Sequence, residues 1–178
     1  EAYKVASADL TNHQLIEAIA KTGKPMIIST GMSFEQEIIE TIDFVKNLGA
    51  PYILLHCNST YPAPFKDLNI KYLERLKEIG SCMVGYSGHE RGFNIVLAAV
   101  ACGSKVVEKH FTLDKNMEGN DHKISLLPEE FKDYHQSLLE TDGENEQITD
   151  EDIKKAEKIL EKAKQQNKTT SVESYSLK

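Results

Sequence analysis

The feature that most restricts this chain is an alternation. Five short apolar runs, Tyr3–Ser7, Pro25–Ser29, Tyr52–Cys57, Cys82–Tyr86 and Lys105–His110, are separated by stretches with helical periodicity. Each run is rich in Ile, Val, Leu or Tyr, as strands covered on both faces require. The runs begin roughly every 22 to 30 residues, close to the length of a strand–helix–strand unit. Such units imply a parallel sheet with right-handed crossovers. The fold class is therefore α/β, built of parallel (β/α) units. A complete eight-stranded barrel takes about 250 residues, so five units read as a partial TIM barrel or a small open sheet.

The helical stretches have readable ends. Thr11–Gln14 and Ser33–Gln36 have the form of capping boxes. The first precedes Leu15, Ile16 and Ile19; the second precedes Ile38, Ile39, Ile42, Phe44 and Val45 and a stop near Gly49. A third helix carries Ile70, Leu73, Leu76 and Ile79 and stops at Gly80, and a fourth runs Phe93–Cys102 before Gly103. The fifth opens at Pro128, a favoured first position, and carries Phe131, Leu138 and Leu139. Residues 1–140 are thus expected to form the partial barrel. Residues 141–166 read as an acidic loop followed by an amphipathic helix with Ile153, Ala156, Ile159, Leu160 and Ala163 on one stripe. Residues 167–178 are polar and read as a disordered tail.

Composition removes several function classes. The net charge is −7, from 28 acidic and 21 basic residues, which argues against a general nucleic-acid binder. No apolar run approaches the ~20 residues that span a bilayer, and no signal peptide is visible. Cys57, Cys82 and Cys102 are scattered without CxxC spacing, which fits reduced thiols and a cytoplasmic location. The first residue is Glu1 rather than Met, so the chain reads as a fragment or a processed product.

Ligands of parallel α/β proteins sit at the carboxyl ends of the strands. The residues there are Lys4 and Ser7, Ser29 and Thr30, Asn58 to Tyr61, Ser87 and His89, and Glu108 and His110. Hydroxyls, one ammonium and two imidazoles suit an anion together with a metal. His89 and His110 end consecutive strands, and two neutral imidazoles can share a divalent cation. Glu108 is then a further ligand or a carboxylate beside it. The plain alternative is that each His bonds only within its own loop.

Lys4 in an apolar strand either meets an anion or reaches solvent. Lys4 and Ser7 fall on opposite faces unless the strand ends or bulges between them. Ser29, Thr30 and Gly31 precede a helix start and can cradle a phosphate, although capping explains them equally well. His13, His56 and Cys57 read as packing or surface residues. Asp121 and His122 lie in the loop Met117–Lys123, which either closes over a sugar or merely turns.

Taken together, the strings Tyr3–Ser7, Lys24–Met32, Leu54–Cys57 with Thr60–Pro64, Gly85–Glu90, Glu108–Asp114 and Met117–His122 resemble the N-acetylneuraminate (sialic acid) synthase family, which includes legionaminate and pseudaminate synthases. The resemblance covers about residues 3–140. It implies a metal-dependent TIM-barrel enzyme that condenses phosphoenolpyruvate with an N-acylated amino sugar, either N-acetylmannosamine or a 2,4-diacetamido sugar. The products are a nonulosonic (sialic-type) acid and phosphate. It further implies Mn2+ or Mg2+ on His89 and His110, and catalytic roles for Lys4, Glu108 and Asp121. Substrate contacts are implied for Ser7, Ser29, Ser59, Tyr61 and Ser87. Ser59 stands where several relatives carry Asn.

By the same resemblance the five strands are the fourth to eighth of the barrel. Family barrels begin with three further βα units that bring more substrate contacts, and many carry a small C-terminal antifreeze-like domain. Open sheet edges are usually covered, so a homo-oligomer (dimer) or a complementing N-terminal segment is expected. The alternative function is a noncatalytic half-barrel remnant acting as a metal- or phosphate-binding or assembly module.

Overall fold

The computed structural model describes residues 1–142. Strands β1 (Tyr3–Val5), β2 (Met26–Ser29), β3 (Tyr52–Cys57), β4 (Val84–Gly88) and β5 (Val106–Lys109) alternate with helices α1 (His13–Ala20), α2 (Glu35–Asn47), α3 (Tyr72–Gly80), α4 (Asn94–Ala101) and α5 (Pro128–Asp142). The strands lie side by side in chain order, all parallel. The expectations for residues 143–178 fall outside the described residues. No helix among the described residues is long and apolar enough to cross a membrane.

The sheet is strongly curved, and two side chains prove it. In a flat sheet β1 and β5 would stand roughly 19 Å apart, four strand spacings, beyond the combined reach of a Lys and a Glu. Yet Lys4 Nζ on β1 lies 3.8 Å from Glu108 Oε2 on β5. The five strands therefore form half of a barrel, with a concave inner face and a convex outer one.

Alternation along each strand sorts the residues between these faces. Val5, Met26, Ile28, Leu54, Val84 and Tyr86 point outward and pack with Ile16, Ile38, Ile42, Leu73, Leu76 and Val96 of the helices in one buried core. Lys4, Ser29, Cys57, Ser87 and Glu108 have the other parity and meet on the inner face.

Several element ends differ from the sequence expectation. Asn12 rather than Thr11 caps α1, accepting from the Leu15 N–H at 3.2 Å. The α2 start falls one residue later than Ser33. Its cap residue is Phe34, whose N–H donates to Glu37 Oε2 at 2.7 Å, while Ser33 Oγ donates to the Gly31 carbonyl. Strand β4 begins at Val84 rather than Cys82 and runs to Gly88.

Gly80 does not end α3 by a left-handed turn, since Ser81 takes that conformation (φ 50°). What Gly80 supplies is space, because a Cβ there would come within 2.7 Å of Leu54 Cδ1.

Candidate functional site

The inner face is organised in rows. Cys57, Ser87 and Glu108 are paired across β3, β4 and β5. The β4–β5 ladder ends one residue later, at Gly88 and Lys109, so His89 and His110 stand just past its last rung. Their ring centroids are 5.3 Å apart, edge to face. Tyr61 stacks on His89 at 4.3 Å and meets His110 edge-on at 5.6 Å.

His89 Nδ1 lies 2.6 Å from the Asn58 carbonyl. A carbonyl only accepts, so Nδ1 carries the hydrogen and Nε2 keeps its lone pair. The Tyr61 hydroxyl, 3.0 Å away, donates to that lone pair. Burial holds the His89 pKa below its ordinary value against the opposing Asn58 hydrogen bond, with His110 adding to the depression. The neutral imidazole favoured in this way is the form that binds metals.

An ammonium lies on the same face. Lys4 Nζ donates to Ser29 Oγ at 2.7 Å and to the Val5 carbonyl at 3.2 Å. Ser87 Oγ donates to Glu108 Oε1 at 2.7 Å, which leaves Oε2 toward Lys4. β1 ends at Val5 and Ser7 opens a 3-10 turn, which resolves how Lys4 and Ser7 serve one side.

Ser7 Oγ is 3.1 Å from Cys57 Sγ. A Cβ on Gly31 would fall onto Ser59 Oγ, 2.7 Å from Cys57 Sγ and 2.9 Å from Ser7 Oγ. Ser7, Cys57 and Ser59 thus converge on one backbone position, and Cys57, which spacing alone marks as a packing residue, belongs to this cluster. Thr30 is committed elsewhere, since its N–H and hydroxyl both donate to the Leu55 carbonyl.

Asp121 is exposed at the start of a 3-10 turn, Asp121–Lys123. Burial first, and then the Asp121 charge, raise the pKa of Tyr61. His122 Nδ1 pairs with the Thr112 hydroxyl at 2.7 Å, a loop contact. His13 stacks on Phe44 at 4.4 Å. His56 bonds the Leu68 carbonyl at 2.6 Å beside Tyr72 and Tyr86. Both are packing residues, as expected. An open cleft between α2 and α3, lined by Met32, Phe34, Ile38, Asn69 and Tyr72, reaches Gly31 and Cys57 at the edge of this cluster but not Lys4, Ser87, His89, Glu108 or His110.

Sequence reasoning missed a buried pair behind the two imidazoles. Lys109 Nζ donates to Glu90 Oε1 at 2.9 Å and also to the Glu90 main-chain carbonyl. Both side chains are almost fully excluded from solvent, at 1% and 0% exposure. The Tyr86 hydroxyl donates to Glu90 Oε2 at 2.8 Å. Burial lowers the Lys109 pKa, and the Glu90 hydrogen bond opposes it. The available signal was a charged residue adjoining each His, in Gly88-His89-Glu90 and Glu108-Lys109-His110.

The separation of the two rings is compatible with a shared cation, for which the Tyr61 hydroxyl would have to give up His89 Nε2. An ion about 2 Å from one nitrogen of each ring sets the ring centroids roughly 5 Å apart, as found. Among the described residues, no set of three or more His, Cys, Asp or Glu side chains gathers around one point. A cation held between these rings would have two protein ligands, with its other positions open to water and substrate.

A parallel (β/α) half-barrel with its polar cluster at the carboxyl ends of the strands is part of the architecture of the class of TIM-barrel proteins, whose active sites lie at this rim. Within that class, the chain belongs to the NeuB family, whose profile matches residues 1–143. It is 49% identical over 133 residues to the N,N'-diacetyllegionaminic acid synthase of Campylobacter jejuni, covering 73% of this chain and 40% of that protein. The crystal structure of N-acetylneuraminic acid (sialic acid) synthetase from Leptospira borgpetersenii, in complex with citrate, aligns with a TM-score of 0.75 at 31% identity, covering 94% of this chain and 58% of that one. A DAHP synthase of Thermotoga maritima, at 19% identity and a TM-score of 0.67, shares the fold over 77% of this chain and 43% of its own. The five strands match part of the barrel in these structures. The chain is thus a homologue of nonulosonic acid synthases, and it spans about two fifths of the length of the curated relatives it matches.

Proposed function

We propose that this chain carries the strand-4-to-8 part of a nonulosonate synthase active site, which joins phosphoenolpyruvate to an N-acylated amino sugar. The observation that carries this reading is the meeting of the His89–His110 pair with Lys4, Ser29, Ser87 and Glu108 on one concave face. In the reaction, C3 of phosphoenolpyruvate forms a bond to the aldehyde carbon of the open-chain sugar, and the aldehyde oxygen takes a proton. Water adds at C2, the C2–O bond breaks, and phosphate leaves.

Lys4, with the hydroxyls of Ser7 and Ser29, binds the phosphate and carboxylate of phosphoenolpyruvate. Ser59 adds one hydroxyl donor to the same pocket. Glu108, oriented by the Ser87 hydroxyl, receives the proton of the attacking water on Oε2. Tyr61 and Asp121 face the sugar. His89, through Nε2 once the Tyr61 hydroxyl gives way, and His110 would hold Mn2+ or Mg2+, which when bound would polarise the aldehyde. Members that make different sugar acids share this segment, so specificity among N-acylated sugars rests partly on the rest of the barrel.

The test is phosphate release from phosphoenolpyruvate with Mn2+ and a panel of amino sugars. It is run on this chain alone and combined with a separately expressed barrel half from a relative. Sugar-dependent release in the combined sample, lost in His89→Ala/His110→Ala, is the expected result. Equal Mn2+ binding by wild type and the double variant would remove the metal assignment. Metal and phosphate binding without turnover in any combination would favour the noncatalytic module.

A further inference from the structure

The Lys109–Glu90 pair is not used by the reaction, yet it sits in a telling place. The last paired rung between β4 and β5 joins Gly88 to Lys109; past it the His89 carbonyl accepts from the Ala63 N–H at 3.1 Å and the His110 carbonyl from the Leu126 N–H at 2.8 Å, bonds that hold each histidine to a different segment and not to the other. Beyond that rung Lys109 takes over. Its ammonium reaches from β5 to both the carboxylate and the main-chain carbonyl of Glu90. His89 is thereby bracketed, with the ladder holding Gly88 on one side and Lys109 holding Glu90 on the other. His110 directly follows Lys109.

The carboxylate is also fitted under the strand. A Cβ on Gly88 would lie 2.8 and 3.0 Å from the two Glu90 oxygens, so Gly88 leaves the room in which Glu90 folds back. Tyr86 completes the set from the same outer face. A fully buried ion pair is a poor way to gain stability, because desolvation offsets much of the attraction and apolar residues of similar volume often do as well. Here the ammonium spans the Glu90 carboxylate and main-chain carbonyl while Tyr86 holds the second carboxylate oxygen, so the pair ties one side chain to the backbone at two points.

We propose that Lys109 and Glu90 are positioning residues, a clamp on the outer face that sets the spacing and orientation of the His89 and His110 imidazoles on the inner face. This rests on the reading of those imidazoles as a cation site. The clamp acts through the backbone and touches no substrate.

The double variant Lys109→Met/Glu90→Gln tests it, because it removes both charges while keeping the volume. Three measurements are made on the full chain: the denaturant midpoint, Mn2+ affinity by calorimetry with the metal alone, and long-range 1H–15N spectra of the metal-free imidazoles. The midpoint should hold while Mn2+ affinity falls about 10- to 100-fold, the usual effect of losing a group that orients a metal ligand. The metal-free spectra should lose the single Nδ1–H tautomer that the Asn58 carbonyl imposes on His89.

Unchanged affinity and unchanged imidazole spectra at an unchanged midpoint would overturn the clamp. If wild type takes up no Mn2+, the cation reading fails by itself, and the metal-free spectra still decide whether the pair positions the rings. Should the double variant unfold, Gly88→Ala displaces the carboxylate with both charges retained; its midpoint is expected to fall, and Mn2+ affinity and the metal-free imidazole spectra, read where that variant is folded, carry the same expected and overturning results.

Discussion

Two lysine–glutamate pairs stand on opposite faces of one sheet. On the inner face Lys4 and Glu108 are 3.8 Å apart, with side chains 36% and 43% exposed. On the outer face Lys109 and Glu90 are 2.9 Å apart and sealed from water. Glu108 and Lys109 are consecutive in sequence, so one peptide unit sends a charge to each side. The inner pair is loose and shares its hydrogen bonds with Ser29 and Ser87, so its ammonium can still meet an anion. The outer pair has its charges committed to each other and to Tyr86. On the proposed readings, the same two residue types serve as a binding surface where water reaches them and as a scaffold where it does not.

The sharpest way to break this contrast is to remove one member of each pair. Lys109→Ala should cost about 3–5 kcal/mol, because it leaves a buried carboxylate without its cation. Denaturant unfolding measures this, and a cost near zero would show that the outer pair is not the sealed unit described. Gly31→Ala should cost about 1–3 kcal/mol by overpacking the Ser7, Cys57 and Ser59 cluster, and it should weaken phosphoenolpyruvate binding in equilibrium titration. Lys4→Met should change unfolding stability by no more than about 1 kcal/mol, as for other exposed pairs. Its effect belongs to ligand binding, where losing a hydrogen bond to a charged group is worth about 1.5–3 kcal/mol. A Lys4→Met protein that binds phosphoenolpyruvate normally would erase the functional half of the comparison.

The smallest effect expected is a pH dependence from the outer layer. Burial depresses the His56 pKa below its ordinary 6.5, outweighing the opposing hydrogen bond that Nε2 donates to the Leu68 carbonyl. The unfolded chain therefore binds the proton more readily than the folded one. The His56 contribution is complete above the unfolded value and is lost as pH falls through the lower folded value. Unfolding midpoints should drop on acidification through that window, and His56→Gln should flatten the drop. An identical slope in the variant would assign the dependence to other groups.

The strands and helices were legible because their signals are local. Ile38, Ile42 and Val45 repeat at helical spacing, and all three are buried. The continuous apolar run at Tyr52–Cys57 is a strand with those ends. The strand-end positions of His89, His110, Lys4 and Glu108 were readable for the same reason. Cap choice was not: Thr11 and Asn12 are both good caps, and the structure places Asn12 at the cap, accepting from the Leu15 N–H. Nor was the α2 start, where exposed Phe34 takes the cap position without a side-chain acceptor. Glu90 lies beyond the last strand residue, where alternation no longer says which way a side chain points, so the charges adjoining the two His residues marked Glu90 and Lys109 in the sequence but not their pairing.

By itself the sequence determined the order of the elements, the parallel connection of the strands, and which residues arrive at the carboxyl ends. Periodicity and composition act over neighbouring residues and need no knowledge of distant ones. Only the tertiary structure decided that Lys4 meets Glu108, that Ser7 meets Cys57 across an intervening strand, and that Glu90 folds back under Gly88 to take Lys109. Those meetings depend on curvature and strand register, which are set when the whole outer face packs at once.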